Sequence, residues 1–513
     1  MLQIKNLSIT HLKDLRCLLK DVSLTLNPGD KAVLIGEEGN GKSTLLKWIA
    51  DPRLIESYTE SHGERILNGE RLAYLPQELP EADRERTLYS FFCEQESFYD
   101  LTPKDLSRLA KTFGTEPDFF YRDQLMKTLS GGEKVKAQLM RILMDPPTVL
   151  LLDEPSNDVD LPALKLLEQL IADWEQIVLF ISHDETLIEN TANVVIHLEQ
   201  LDRKRESRFT VCRMPYRQSL SLREQQFGNQ TRQALNDRRE KEIRDEKYRR
   251  IAQKVAQAQA AISRQDPHGA ALLKKKMHAV KSLERRFAKE DEKMTALPRQ
   301  EEAIFLRFSE TKPLPPGKLL LDCTLPRLEA PDGRLLSENI RLVLRGNEKV
   351  CITGENGSGK TTLLKKLAEA LLSRTDIRAA YMPQTYEDLL DPEQSPVDFL
   401  DSTGDKERRT WIRTCLGSLK YTPIEMDHPI RQLSGGQKAK VLLLKLTLSG
   451  ANVLILDEPT RNFSPLSGPV IRKLLSDFPG AILSVSHDRK FMEEVCGKVL
   501  RLTPAGLTNG FTP

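Results

Sequence analysis

The sequence predicts an α/β protein in which one domain fold occurs twice and an α-helical antiparallel coiled-coil hairpin joins the two copies. Several blocks of the N-terminal half recur in the same order in the C-terminal half, which indicates an internal duplication. Short apolar runs of Val, Leu and Ile predict buried parallel strands in both copies. The stretch between the copies is charged and resembles neither. We therefore expect domains at 1–204 and 313–513, with the hairpin linker at 205–312.

The repeated blocks keep a fixed spacing. Ser130 and Ser434 are 304 positions apart, and so are Glu154 and Glu458. The first copy has 11 extra residues between its first two blocks, and we expect a surface loop to absorb them. The blocks are GEEGNGKST (36–44) and GENGSGKTT (354–362), YLPQE (74–78) and YMPQT (381–385), LSGGEKVKAQL (129–139) and LSGGQKAKVLL (433–443), VLLLDEPS (149–156) and VLILDEPT (453–460), and ISHDE (181–185) and VSHDR (485–489).

The first block of each copy is a P-loop, GxxxxGK[ST]. Its glycines let backbone N–H groups face phosphates at the start of a helix, and the apolar runs 33–35 and 350–352 provide the preceding strand. We expect the lysine to reach the β- and γ-phosphates of ATP and the following hydroxyl to hold Mg²⁺. The predicted nucleotide ligands are Gly36, Gly39, Asn40, Gly41, Lys42, Ser43 and Thr44 in the first copy, and Gly354, Asn356, Gly357, Gly359, Lys360, Thr361 and Thr362 in the second.

An Asp-Glu pair ends an apolar run in each copy. An acid at the carboxyl end of a central strand, beside a P-loop, is suited to bind Mg²⁺, so we predict this role for Asp153 and Asp457. The following carboxylate can accept the proton of an attacking water, so Glu154 and Glu458 are the predicted general bases.

LSGG resembles the signature motif of the ATP-binding-cassette (ABC) family, and the other blocks extend the resemblance over both halves. Family members pair two cassettes head to tail, so the resemblance implies two P-loop ABC-type nucleotide-binding domains that hydrolyse ATP. Ser434-Gly435-Gly436 would close on the ATP held by Lys42, and Ser130-Gly131-Gly132 on the ATP held by Lys360. The resemblance further places Gln77 and Gln384 at the metal or water, and His183 and His487 at the γ-phosphate.

Two features depart from the family pattern. Where members often place an adenine-stacking aromatic, the first copy has His11, which fits a plain surface histidine equally well. The second copy has no aromatic there. The alternative is that apolar contacts alone hold the adenine. The loop after the first DEP reads SNDVD (156–160), but the second reads TRNFSPLS (460–467). Since this loop lines the cassette interface in the family, we expect the two ATP sites to have unequal rates.

The linker predicts a basic helical hairpin. Residues 201–310 contain 27 Lys and Arg against 16 Asp and Glu, a net charge of +11. Apolar residues at 248, 251, 255, 258 and 262, and again at 273, 277, 280 and 287, follow heptad-like steps. Pro267 and Gly269 are expected to break the helix in a tip at about 263–272. The predicted basic face, which favours contact with folded RNA, comprises Arg238, Arg239, Arg244, Lys247, Arg249, Arg250, Lys254, Lys274, Lys275, Lys276, Lys281, Arg285 and Arg286.

Two fused cassettes around such a hairpin resemble the ABC-F family, and within it the Vga- and Lsa-type ribosomal protection proteins. The resemblance implies a monomer that pairs its own cassettes in the tRNA exit site of the 70S ribosome. Its linker would contact 23S rRNA and P-site tRNA near the peptidyl-transferase centre, and displace lincosamides, streptogramin A compounds or pleuromutilins. The tip residues nearest the drug would be Arg264, Gln265, Asp266, Pro267 and His268.

Two alternatives stay open. A housekeeping ABC-F factor that resolves stalled ribosomes would share every motif, whereas the ATPase subunits of a membrane transporter would usually lack the basic hairpin. No apolar stretch of about 20 residues and no secretory signal is visible, and the seven cysteines form no CxxC pair, so we expect a cytoplasmic protein without a membrane partner.

Overall fold

The computed structural model describes residues 1–510 except 158, 205, 262–266, 292–293, 296–307, 309–310, 332 and 402. The chain forms two compact units. The first comprises Met1–Tyr216 and Glu301–Pro513 and contains both cassettes, and the second comprises Arg217–Gln300. The predicted domain boundaries themselves stay predictions. Among the described residues, no helix combines the length and apolar character needed to span a bilayer.

A mixed six-stranded sheet in the order β5-β6-β7-β3-β8-β9 forms the centre of the first cassette, and only β9 is antiparallel to its neighbour. A three-stranded antiparallel sheet, β2-β1-β4, packs with it around one apolar core. The strands are β1 (Leu2–His11), β2 (Cys17–Leu26), β3 (Lys31–Ile35), β4 (Thr59–Ile66), β5 (Leu72–Leu75), β6 (Val149–Asp153), β7 (Ile177–Ile181), β8 (Val194–Gln200) and β9 (Glu206–Cys212).

Nine helices complete the described part of this cassette. The helix after the P-loop begins at Lys42, and the helix after the signature motif begins at Gly131. The helices are α1 (Lys42–Ala50), α2 (Glu81–Arg84), α3 (Leu88–Cys93), α4 (Ser97–Asp100), α5 (Pro103–Thr112), α6 (Gly131–Leu143), α7 (Leu161–Asp173), α8 (Glu185–Thr191) and α9 (Leu201–Lys204).

The second unit contains two long helices, α10 (Tyr216–Ala261, whose first residue belongs to the first unit) and α11 (Pro267–Asp291). They pair antiparallel, because the Tyr248 and Phe287 rings lie 6.0 Å apart and Lys241 Nζ lies 2.8 Å from an Asp291 oxygen. The expected helix break is wrong in part. Pro267 is the first residue of α11, where its missing N–H costs no helical hydrogen bond, and Gly269 lies inside the helix.

The predicted seam of this hairpin also needs correction. Ile251 is 46% exposed, whereas Ala234 and Val280 are buried. Arg244, predicted on the outward face, is only partly exposed and lies over the Phe287 ring at 4.7 Å. The packed face therefore keeps Tyr248, Val280 and Phe287 of the predicted seam, but Ile251 lies outside it.

The second cassette repeats the arrangement with the sheet order β13-β14-β15-β12-β16-β17 and a two-stranded sheet, β10-β11. Its strands are β10 (Leu319–Glu329), β11 (Leu335–Arg345), β12 (Lys349–Thr353), β13 (Ala379–Met382), β14 (Val453–Asp457), β15 (Ala481–Val485), β16 (Lys498–Thr503) and β17 (Gly506–Asn509). Its helices are α12 (Lys360–Leu372), α13 (Pro396–Leu400), α14 (Lys406–Ser418), α15 (Pro423–Asp427), α16 (Gly435–Leu448), α17 (Gly468–Ser476) and α18 (Arg489–Glu494).

The central strands β6 and β14 are buried over their whole length, as their unbroken Val, Leu and Ile runs predict. Both P-loops and both Asp-Glu pairs consequently lie at the carboxyl ends of parallel strands, where α/β sheets bind ligands. One expectation is wrong. The 11 extra residues of the first cassette do not form only a surface loop, because they include β4, which pairs with β1 and adds a third strand to the antiparallel sheet.

Candidate nucleotide sites and the basic linker surface

Each P-loop connects a buried strand to the first turn of a helix. Gly36 and Gly354 begin these loops with φ angles of 150° and 155°, and a Cβ at Gly36 would lie 2.3 Å from the carbonyl oxygen of Leu198, so only glycine fits. Lys42 Nζ donates to the Gly36 carbonyl at 2.8 Å, and Lys360 Nζ donates to that of Gly354 at 2.9 Å. The same two loops and helix starts carry Gly39, Asn40, Gly41, Ser43, Thr44, Asn356, Gly357, Gly359, Thr361 and Thr362.

The two predicted Mg²⁺-binding aspartates differ in their hydrogen bonds. Ser43 Oγ donates to Asp153 Oδ1 at 2.9 Å, and the Tyr74 hydroxyl donates to its Oδ2 at 3.1 Å. Both oxygens of Asp457 are buried and have no hydrogen-bond partner among the described residues. Burial raises the pKa of Asp457 to about 6, against the opposing influence of nearby Thr361. The first aspartate is therefore held by two hydrogen bonds that have no counterpart at the second among the described residues.

The two predicted general bases share a strained backbone. Glu154 has a φ of 50° and Glu458 a φ of 52°, a region that residues other than glycine rarely adopt. Strain of this kind is retained where a site requires one side-chain direction. In both cassettes it orients the carboxylate at the end of the central strand toward the histidine that follows the next strand.

The contacts of these carboxylates differ. His183 Nε2 lies 2.9 Å from Glu154 Oε1, and Gln77 Nε2 donates to Glu154 Oε2 at 3.1 Å. Burial alone would raise the pKa of Glu154, but His183 lowers it to about 2. In the second cassette the His487 Nε2 to Glu458 Oε1 distance is 3.8 Å. Burial and the neighbouring aspartate raise the pKa of Glu458 to about 8.

The two cassettes meet head to tail. The first composite site combines the P-loop of the first cassette with the signature motif of the second cassette. The second composite site combines the P-loop of the second cassette with the signature motif of the first cassette. A cavity of about 880 Å³ at the second composite site is lined by Ser130 and Gly131 of one cassette and by Lys360 of the other. Further residues that line it are Asn356, Gly357, Gly359, Thr361, Thr362, Gln384, Asp457, Glu458 and His487, together with Gln77, Glu154 and His183 of the first cassette.

At the first composite site, acids of the P-loop contact the other cassette directly. Glu37 is 5% exposed and accepts hydrogen bonds from Ser464 at 3.0 Å and Ser467 at 2.7 Å. Its carboxylate also pairs with Lys420 at 2.9 Å and Lys440 at 3.1 Å. Burial would raise the pKa of Glu37, but these two lysines hold it well below its usual range. Ser464 and Ser467 belong to the divergent TRNFSPLS segment.

At the second composite site the acid that joins the cassettes lies on the side of the signature motif and not on the side of the P-loop. Asp160, which caps α7, accepts a hydrogen bond from the Asn356 backbone N–H at 3.3 Å. Glu355, the counterpart of Glu37, is exposed and pairs with Arg501 at 3.1 Å. The residue that matches Asp160 in the second cassette is Ser464. The sequence difference after the second DEP therefore changes which residues join the cassettes.

Further buried ion pairs join the cassettes away from the P-loops. Arg472 Nη1 lies 2.8 Å from Glu185 Oε1, and both side chains are at most 9% exposed. Arg489 Nη2 lies 2.7 Å from Glu168 Oε1. Removing one partner of such a pair costs about 3–5 kcal/mol because the other charge is left buried.

Adenine recognition stays a prediction. His11 Nδ1 lies 2.9 Å from Asp14 Oδ1, and its ring centroid is 6.4 Å from that of Tyr58. In the second cassette Arg334 and Leu336 line the cavity beside the P-loop. The second copy has no aromatic at the adenine-stacking position, and the structure shows an arginine and a leucine lining the cavity there.

The linker carries an exposed basic surface on both described helices. These residues are Arg238, Arg239, Lys247, Arg249, Arg250, Lys254, Lys274, Lys275, Lys276, Lys281, Arg285 and Arg286. Arg264, Gln265 and Asp266 of the predicted tip lie outside the described residues. Pro267 and His268 lie in the first turn of α11.

The comparisons agree with this architecture. A family model described as ABC transporter matches residues 19–157 and 337–461. The chain is 29% identical over 497 residues to the ribosome protection protein VmlR of Bacillus subtilis, covering 95% of this chain and 84% of that protein. It is 25% identical over 548 residues to the energy-dependent translational throttle protein EttA of Haemophilus influenzae, covering 94% and 89%.

Among solved structures, the chain resembles the archaeal ribosome recycling factor aABCE1 in complex with the stalk protein aP1. The TM-score is 0.59 at 17% identity, over 98% of this chain and 90% of that one, which indicates a shared fold. Two paired cassettes with these motifs define an ATP-hydrolysing ABC protein. The chain therefore belongs to the ABC family, as a two-cassette ATPase of the ABC-F type.

Proposed function

We propose that this ATPase binds the 70S ribosome at the tRNA exit site and uses its linker near the peptidyl-transferase centre to displace antibiotics from the large subunit. The observation that carries the proposal is the exposed basic surface of the helical pair inserted between two cassettes. Positive charge of this density favours phosphate backbones such as those of 23S rRNA and P-site tRNA. The similarity to VmlR, a ribosome protection protein, supports the choice of target.

ATP would act by holding the cassettes together. Lys42 with Ser434, and Lys360 with Ser130, would bind the phosphates of two ATP molecules from opposite sides. Each site is complete only when both cassettes contribute, so ATP favours the closed arrangement and hydrolysis releases it. Glu154 and Glu458 would then remove the proton of the attacking water.

The residues at both sites fit Mg²⁺. The cation prefers carboxylate and hydroxyl oxygens, and the buried Asp457 carboxylate, which lacks a hydrogen-bond partner among the described residues, lies near Thr361 and has such oxygens to offer. Asp153 and Ser43 form the matching pair in the first cassette, with Gln77 and Gln384 as further candidates. When bound, Mg²⁺ would neutralise charge on the β- and γ-phosphates.

The double variant Glu154→Gln with Glu458→Gln tests ribosome binding. Since it can bind ATP but lacks both bases, we expect it to stay closed and to co-sediment with 70S particles in ATP, whereas the wild-type protein cycles off. The same variant in ADP is the control and should remain at the top of the gradient. Double-variant protein that stays free of ribosomes in ATP would refute the proposal.

The basic surface is tested by neutralising three lysines. Lys274, Lys275 and Lys276 are exposed on α11, and replacing them by alanine in the double variant should weaken ribosome binding. The slope of the logarithm of the binding constant against the logarithm of the salt concentration should become shallower by about one unit for each lysine that contacts a phosphate. The matched control replaces three exposed cations of α5, Lys104, Arg108 and Lys111, and should leave the salt dependence unchanged.

The similarity to EttA, a translational throttle protein, favours a second candidate, a translation factor that acts without any drug. Drug susceptibility separates the two. A deletion strain should become sensitive to lincosamides, streptogramin A or pleuromutilins, and replacing Arg264, Gln265, Asp266, Pro267 and His268 should abolish protection while ribosome binding persists. Unchanged susceptibility together with a growth or translation defect would favour the throttle-like function.

A further inference from the structure

The first P-loop carries a second acid, Glu38, whose carboxylate lies against the signature motif of the other cassette. Ser434 Oγ donates to Glu38 Oε2 at 3.3 Å. A Cβ at Gly436 would lie within 1.8 Å of the same carboxylate, so any larger residue there would require the Glu38 side chain to move. Glu38 Oε1 is inaccessible to solvent and has no hydrogen-bond partner among the described residues.

The groups around this carboxylate are the ones assigned above to the terminal phosphate of ATP. Lys42 and His183 of its own cassette and Lys440 of the other each favour its ionised form. Burial acts in the opposite direction and raises the pKa of Glu38. Glu38 thus lies among a lysine, a histidine and the signature serine and glycine, where the γ-phosphate of a bound nucleotide would also lie.

The second composite site places an uncharged side chain at the matching position, with a looser approach to the signature glycine. Asn356 is the counterpart of Glu38, and its Nδ2 lies 3.9 Å from the position of a Cβ at Gly132, the counterpart of Gly436. Both P-loops therefore bring a side chain against the opposite signature glycine. One side chain is a carboxylate, and the other is a neutral amide.

We propose that Glu38 is a built-in substitute for the γ-phosphate, which makes the first composite site selective for a nucleoside diphosphate over ATP. Two anionic groups repel each other strongly at such short range in a site that excludes water. ADP lacks the third phosphate and leaves the Glu38 contacts intact, whereas ATP has to displace them. This inference rests on the proposed composite sites and specifies what the first one binds.

Photoaffinity labelling with 8-azido-ADP and a non-hydrolysable 8-azido-ATP analogue tests it, because peptide mapping assigns the label to each cassette. The wild-type first cassette should be half-saturated at an analogue concentration about tenfold higher than for 8-azido-ADP, and Glu38→Asn should remove that difference. The reciprocal change, Asn356→Glu, should create the same preference for ADP in the second cassette.

Glu38→Gln keeps the shape of the side chain and removes its charge, so it should behave like Glu38→Asn; thermal melting of each variant monitors folding. An unchanged ADP preference in both Glu38 variants, or its absence from the wild-type protein, would overturn the inference. Failure of the proposed sites looks different, since neither cassette would then be labelled saturably by either nucleotide.

Discussion

The two composite sites are assembled from the same motifs, but the acids that join the cassettes come from opposite sides. At the first site, Glu37 of the P-loop reaches Ser464 and Ser467 beyond the second DEP. At the second site, Asp160 beyond the first DEP reaches the P-loop backbone at Asn356. A duplicated interface can therefore keep a contact between the cassettes after divergence, although the acid that makes it lies on a different side of each site.

The predicted catalytic residues also differ between the two sites. The Glu154–His183 pair is in contact at 2.9 Å, whereas Glu458 and His487, which line the same cavity, are 3.8 Å apart. Burial and Lys360 lower the pKa of His487 to about 4, so this histidine is neutral at physiological pH. At the first site Glu38 of the P-loop lies against the opposite signature motif, whereas the cavity at the second site reaches from Lys360 to Ser130 and leaves room for a nucleotide.

The largest effect expected from this comparison is on turnover. Glu458→Gln should lower steady-state ATP hydrolysis about a hundredfold, because a general base contributes at least that factor and the second site is the one open to ATP. Glu154→Gln should retain most of the activity. Phosphate release by each single variant, at saturating ATP, measures how much of the hydrolysis each site contributes. A greater loss in Glu154→Gln would assign the faster turnover to the first site.

The next effect concerns the stability of the interface. Glu37→Gln should destabilise the paired cassettes by about 3 kcal/mol, since it leaves Lys440 buried without its counter-charge. The folded-state pKa of Glu37 is depressed, so its contribution is present above the unfolded pKa of about 4.3 and is lost as pH falls toward the folded value. The difference in melting temperature between wild type and Glu37→Gln should therefore shrink as pH falls from 7 toward 3.

Ser464→Asp is the companion change, because it restores the residue type found at Asp160. In the wild-type background it places a second carboxylate beside Glu37 and should lower the melting temperature. In the Glu37→Gln background it should be tolerated. Equal destabilisation in both backgrounds would show that repulsion of Glu37 is not the reason for serine at this position.

The smallest expected effect concerns Tyr74 and Tyr381, which occupy matching positions in the two cassettes. The Tyr74 hydroxyl donates to Asp153, so Tyr74→Phe should cost about 1.5 kcal/mol by leaving a buried carboxylate oxygen without its donor. The Tyr381 hydroxyl has no partner among the described residues, and Tyr381→Phe should be nearly neutral. Chemical denaturation of the two variants checks the comparison, and equal losses would contradict the difference between the Asp153 and Asp457 environments.

Much of the fold follows from local pattern. The P-loops, the signature helices and the strands before Asp153 and Asp457 have fixed spacing and unbroken apolar runs, and these determine backbone conformation over a few residues. The hairpin was predictable as a pair of helices, and its packed face was predictable in part, through Tyr248, Val280 and Phe287. Ile251 lies largely exposed because burial there is decided by the partner helix and not by apolar character alone.

The interface could not be predicted in the same way. Glu37 and its partner Lys440 are separated by 403 positions, so no local spacing connects them. One signal was present in the repeat. The first P-loop has two adjacent acids where the second has Glu355 and Asn356, and an acid is unexpected in a loop that receives a polyanion. Strand β4 was likewise hidden, because Ile66 is the one apolar residue in TESHGERI and no alternation of polar and apolar residues marks the strand.

The presence of both cassettes in one polypeptide changes the kinetics of their encounter. Two separate chains would have to find each other by diffusion, and their association would depend on how much protein the cell contains. Linked cassettes meet at an effective concentration that the connection sets, whatever the abundance of the protein. Opening and closing are therefore first-order events, and a few copies per cell can complete the cycle as fast as many.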